Sequence, residues 1–137
     1  MPTETFPSRL ESLEKISEFV AKSARTAGLG DAAVYAVQLA VDEAATNIIE
    51  HAYGRDRKGD IRCNCELVEN GLKVTLTDYG KPFNPEAIPD PKMDVPLEDL
   101  KPRGLGLFLM RKMMDEIYFD FTEDRGNILT MIKHKSN

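Results

Sequence analysis

The sequence lacks several features that would settle its class at once. No apolar run approaches the length that crosses a membrane, and the N-terminus carries no hydrophobic signal segment. The default expectation is a cytoplasmic protein with no membrane partner. No block of Lys or Arg is present, and the formal net charge is -5, which argues against direct nucleic-acid binding. Cysteine is scarce: Cys63 and Cys65 have no histidine near them, so they do not make a zinc site. At i, i+2 on a strand they share a face but stand apart, so no local disulfide is expected. They read as small core residues. Internal repeats and low-complexity runs are also missing.

What is there fits one globular domain over residues 1–137, with 42% hydrophobic and 30% charged residues. The most informative stretch is Val34 to Gly54. Val34, Val37, Val41, Ala44, Ala45, Ile48 and Ala52 recur at helical period and predict one helix. Asp31 is its expected N-cap and Gly54 its expected stop. Glu43 and Asn47 are four apart on this helix, so they project side by side. A carboxylate beside a carboxamide, with Ala40, Ala44 and Ala45 keeping the surface low, can hold a hydrated cation or orient a hydroxyl. The ordinary alternative is a solvated polar face.

The rest of the chain supplies the frame. Thr3 to Phe6 reads as a short strand. A helix is expected from Ser8, with Leu10, Leu13, Ile16, Val20, Ala24 and Ala27 on one side and a Ser8–Glu11 capping box. Gly28 and Gly30 end it. After a charged turn from Arg55 to Gly59, Ile61, Cys63, Cys65 and Leu67 alternate with polar residues. Asn70-Gly71 signals a hairpin. The return strand sets Leu72, Val74 and Leu76 on one face, and Asp78 falls on that same apolar face. A buried carboxylate needs a donor. Asp78 is therefore either a cap on the following turn or a ligand contact.

From Lys81 to Arg103 the regular pattern is lost, and six of the eight prolines fall here. Such a segment reads as a lid or as a surface loop. It runs into Arg103-Gly104-Leu105-Gly106-Leu107, and a helix follows. Gly-x-Gly ahead of a helix lets backbone N–H groups meet a phosphate, and Arg103 adds a full charge. Helix–strand packing uses the same pattern. Neither a Rossmann fingerprint nor a Walker loop is present. In the last hairpin, Ile117, Phe119 and Phe121 are expected on one face, and Ile128, Thr130 and Ile132 inward on the return strand.

The order helix, helix, hairpin, lid, helix, hairpin predicts an α+β two-layer sandwich, a mostly antiparallel mixed sheet with helices on one face. Glu43, Asn47, Asp78, Thr130 and the Gly-x-Gly loop then converge between sheet and helices, in a nucleotide-shaped site.

Three motifs carry a resemblance. Glu43-Ala-Ala-Thr-Asn47 is similar to an asparagine box, Asp78-Tyr-Gly80 to a first glycine box, and Gly104-Leu105-Gly106-Leu107 to a second. Together they resemble the GHKL ATPase superfamily, and within it the small bacterial anti-sigma factor serine kinases, over nearly the whole chain. The resemblance implies a Bergerat-type fold that binds ATP and magnesium, with residues 81–103 as ATP lid. It implies Asn47 as the magnesium ligand and Glu43 as general base. Asp78 would accept from the adenine amine, and Gly80 would leave room for the base. Gly104 and Gly106, with Leu105 between them, would cradle phosphates, Thr130 would support adenine, and Arg103 would meet the γ-phosphate or a partner. His51 would lie near the site or serve as a structural residue. The implied partners are a sigma factor and an anti-anti-sigma protein of STAS type, with a homodimer expected. The alternative is a non-catalytic regulator whose nucleotide only shapes a docking surface.

Overall fold

The computed structural model describes residues 2–53, 59–82, 102–122 and 124–135, the backbone alone for 102–105. Strand β1 spans Thr3–Pro7, helix α1 Ser12–Thr26 and helix α2 Asp31–Asn47. A π-helical turn, Ile48–Tyr53, continues α2. Strands β2 (Asp60–Val68) and β3 (Gly71–Asp78) form a hairpin, α3 covers Pro102–Met113, and β4 (Glu116–Thr122) pairs with β5 (Gly126–His134). The five strands make one sheet in the order β1-β2-β3-β5-β4, and all the pairings are antiparallel. Helices and one sheet face share a single apolar core. The α+β sandwich expected from the sequence is the fold adopted, with an antiparallel rather than a mixed sheet.

The helical stripes explain the packing. Ile16, Val20 and Ala24 of α1 and Val37, Val41, Ala44 and Ala45 of α2 are buried. They meet Cys63, Cys65, Val74, Leu76, Leu129 and Met131 from the sheet. Each large aliphatic buried in this way contributes about 1.5–3 kcal/mol. Both cysteines are free and buried, as small core residues should be.

Element ends differ from the sequence pattern. α1 starts at Ser12, not Ser8. The Ser8 hydroxyl is buried without a hydrogen-bond partner among the described residues, so the capping box does not form. Ser12 Oγ donates instead to Pro7 O at 2.7 Å. Asp31 is the first residue of α2, and Gly30, with extended backbone, is the cap. The Gly54 stop and most of the expected lid lie outside the described residues.

The return strand β5 is a correction of parity. Asn127, Leu129 and Met131 are its buried residues, while Ile128, Thr130 and Ile132 are only half-buried. Register explains it. Asp78 pairs with Asn127, Leu76 with Leu129 and Val74 with Met131, and directly opposed residues share a face. A slip of one residue inverts every side chain of a strand.

Candidate functional site

The site is built where α2 ends above the end of β3 and the start of β5. Helical geometry sets Glu43 and Asn47 one turn apart, and both are half-buried. Neither head group has a hydrogen bond among the described residues. α3 crosses them closely: a Cβ at Gly106 would stand 2.8 Å from Glu43 Oε2 and 3.9 Å from Asn47 Nδ2. Only glycine permits that approach with both side chains in place. Burial, and then the neighbouring Asp42 carboxylate, hold the Glu43 carboxyl above its ordinary range.

Asp78 ends β3 on the inner face and is 5% exposed. The Gly80 N–H donates to its Oδ1 at 2.9 Å. The Asn127 amide donates to the same Oδ1 at 2.9 Å and to Gly80 O at 2.9 Å. Asp78 is thus a turn cap through one oxygen. Its Oδ2 has no bond among the described residues and is left as an acceptor. Burial raises its pKa above the usual carboxylate range, although the Asn127 and Gly80 bonds pull it back.

One cleft joins Asn47 to Asp78, with Glu43, one helical turn before Asn47, outside its walls. Its walls include Asn47, Ile48, Asp78, Lys81, Met110, Phe119, Phe121 and Asn127. It is narrow, with about 30 Å³ open to a water molecule. The bare Cα of Gly80 faces the backbone of Ala52. A Cβ there would stand 2.5 Å from the carbonyl carbon and oxygen of Ala52, and the Lys81 N–H donates to Ala52 O at 2.7 Å. The bare glycine lets this turn press against the end of the π-helical segment.

Two expectations from the sequence change. Gly104 and Gly106 lie inside α3, which opens at Pro102, rather than in a loop ahead of it. The side chains of Arg103 and Leu105 are outside the described set. Thr130 stands opposite Thr75 and beside Tyr118 on the face turned away from the helices, so it does not reach the cleft. Asn127 occupies the position expected of it. β5 is apolar on both faces, so alternation could not choose between them. The signal available was Asn127 directly after the turn glycine Gly126. His51 is exposed on the π-helical turn and is not among the cleft's walls.

An antiparallel sheet roofed by helices, with an acid–amide pair above a capped carboxylate, defines a class. Residues 6–133 match the histidine kinase-like ATPase domain, and the chain belongs to that family. Within it, the serine-protein kinase RsbW of Halalkalibacterium halodurans is 32% identical over 133 residues, 94% of this chain and 80% of that protein. The serine-protein kinase RsbW of Bacillus thuringiensis is 30% identical over 132 residues, 93% of this chain and 81% of that protein. Among solved structures, the RsbU and RsbW domains of Rv1364c from Mycobacterium tuberculosis align with a TM-score of 0.67 at 14% identity, over 98% of this chain and 32% of that one. The histidine kinase domain of the Erythrobacter litoralis blue-light activated kinase EL346 aligns at 0.55 and 18% identity, over 90% of this chain and 59% of that one. The chain spans about a third of the first solved chain, and the likeness to both is one of fold. Among the described residues, no helix is long and apolar enough to cross a membrane.

Proposed function

We propose that the chain is an anti-sigma factor that binds ATP in this cleft and phosphorylates an anti-anti-sigma protein on Ser or Thr. The enzyme is a protein kinase of the histidine kinase-like ATPase family. The observation that carries the site assignment is that one cleft is lined by both Asn47 and Asp78, whose Oδ2 has no bond among the described residues. Adenine's exocyclic amine donates to Asp78 Oδ2, and the triphosphate runs toward Asn47. The N-terminus of α3 favours phosphate through its free N–H groups and partial positive charge. Gly104 and Gly106 keep that end bare, and Arg103 adds charge.

Glu43 takes the proton from the serine hydroxyl as its oxygen bonds to the γ-phosphorus. The bond from that phosphorus to the bridging oxygen breaks, and ADP leaves. Asn47 would hold Mg²⁺ together with the phosphates, and the ion supplies charge neutralisation there. The donor set fits. Among the described residues no cluster of three or more His, Cys, Asp or Glu makes an all-protein cage, and magnesium commonly takes few protein ligands plus phosphate oxygens.

Partner switching completes the proposal: a sigma factor bound in one state, a STAS-type anti-anti-sigma protein bound and modified in the other, the kinase acting as a homodimer. The serine-protein kinase relatives support the phosphotransfer in this scheme. Calorimetric titration with ATP, with and without magnesium, is the test. Magnesium-dependent binding that is lost in Asn47→Ala is expected, followed by phosphoserine or phosphothreonine on the partner by mass spectrometry. No binding at millimolar ATP overturns the reading. Nucleotide-responsive partner binding without a phosphorylated product replaces it with a non-catalytic regulator.

A further inference from the structure

The turn that presents Asp78 is held from the side by a residue that lies outside the cleft. Tyr53 ends the π-helical segment that begins directly after Asn47. Its hydroxyl donates to Asp60 O at 2.9 Å and accepts the Tyr79 N–H at 2.8 Å. The directions are fixed, because a backbone N–H only donates and a carbonyl only accepts. The ring is seated against Gly59, where a Cβ would stand 2.3 Å from it. Tyr79 follows Asp78 directly, and its own side chain is 68% exposed. The Lys81 N–H to Ala52 O bond is a second tie between the same two segments. A π-helical turn bonds i to i+5, so it changes the angle at which the residues after it leave the helix. That change carries Tyr53 toward the first residue of β2 and the end of β3.

We propose that Tyr53 is a positioning residue for the nucleotide base, its phenol fixing the Asp78–Gly80 turn so that Asp78 Oδ2 meets the base's exocyclic amine. The assignment rests on the ATP reading of the cleft. It links the two ends of the site through one continuous piece of chain: Asn47 at the phosphate end, then a six-residue π-helix whose last residue, Tyr53, brings its phenol to the base end. The turn's other supports are the Asn127 amide and the Ala52 carbonyl. Tyr53 is the support that acts on the backbone of Asp78's neighbour; its two hydroxyl bonds go to Tyr79 N–H and Asp60 O, and it senses Asp78 only through charge. Its loss therefore leaves the carboxylate present and capped by Gly80 and Asn127, but less well aimed.

A structural role and a positioning role separate in their dependence on the amine. The test titrates wild type and Tyr53→Phe with ATP and with purine riboside triphosphate, which lacks the 6-amino group. In Tyr53→Phe, ATP affinity falls about five- to tenfold, the size of one hydrogen bond. Affinity for the amine-free nucleotide stays unchanged, so the preference for ATP narrows by the same factor. Gly59→Ala displaces the same ring from outside and narrows the preference in the same direction, which gives a reading even if Tyr53→Phe folds poorly. Equal loss for both nucleotides, or no loss for either, overturns the proposal. Wild-type protein that binds ATP without preferring it to the amine-free nucleotide overturns it too, by removing Asp78's contact. Wild-type protein that binds neither nucleotide refutes the ATP reading beneath it, a different and recognisable failure.

Discussion

At the residue scale the site is a set of oxygens with different constraints. Glu43 Oε2 faces the bare Cα of Gly106, and Asp78 Oδ1 is held by two donors while Oδ2 has no bond among the described residues. Glu43→Gln keeps the shape and removes the base. Phosphotransfer measured by mass spectrometry should fall about 10²–10⁴-fold with ATP affinity retained. The acid limb of the pH–rate profile belongs to the same carboxyl. A base acts when deprotonated, so the rate rises with pH through a pKa that burial and Asp42 place above the ordinary glutamate value. Asp42→Asn removes the second cause, and the limb should move to lower pH. Asn127 and Thr130 form a matched pair. Asn127→Ala removes a donor to Asp78, and calorimetry should record about a five- to tenfold loss of ATP affinity. Thr130→Ala, on the far face, should change nothing there. The reverse result would restore the face assignment that the register overturns.

At the element scale the decisive contact is α3 against α2. Glycine inside a helix costs about 0.5–1 kcal/mol relative to alanine, so Gly106 is a local weakness in α3. Gly106→Ala sets that gain against a methyl 2.8 Å from Glu43 Oε2. The clashing atom is the end of a flexible side chain, which can swing away at small cost. The expected outcome is a thermal midpoint unchanged or slightly raised, with phosphotransfer reduced tenfold or more because the base has moved. A fall in midpoint with normal transfer would show that Gly106 serves packing alone. The π-helical turn has a comparable position. It bonds the Asp78–Lys81 turn at Ala52 O, and the chain's own helical period gives no sign of it.

At the scale of the molecule, one sheet face and the helices share a single core, so a cut in the core acts on everything above it. Leu76 lies at 0% exposure on the inner face of β3, in mid-sheet, two residues before Asp78. Leu76→Ala should cost about 2–5 kcal/mol in urea unfolding. ATP with magnesium should stabilise the fold by about 2.7 kcal/mol at a hundredfold excess over its dissociation constant, raising the thermal midpoint. Asp78 adds a pH term. Its folded pKa is raised by burial, so the folded state holds the proton more tightly than the unfolded one. Stability from this group therefore falls as pH climbs from 3.8 through the folded value, and Asp78→Asn should flatten that slope. The sequence by itself determined the elements wherever one period dominated. Those are the α1 and α2 stripes, the β2–β3 alternation with Asp78 on the apolar face, the Glu43–Asn47 spacing, and so the sandwich. Tertiary structure decided what periodicity leaves open. β5 is apolar on both sides, and only its register with β3 chose Asn127 over Thr130. The start of α3 and the π-helical end of α2 were likewise set from outside the segments. A helix terminus follows whichever backbone partners packing brings within reach, and those partners are distant in sequence.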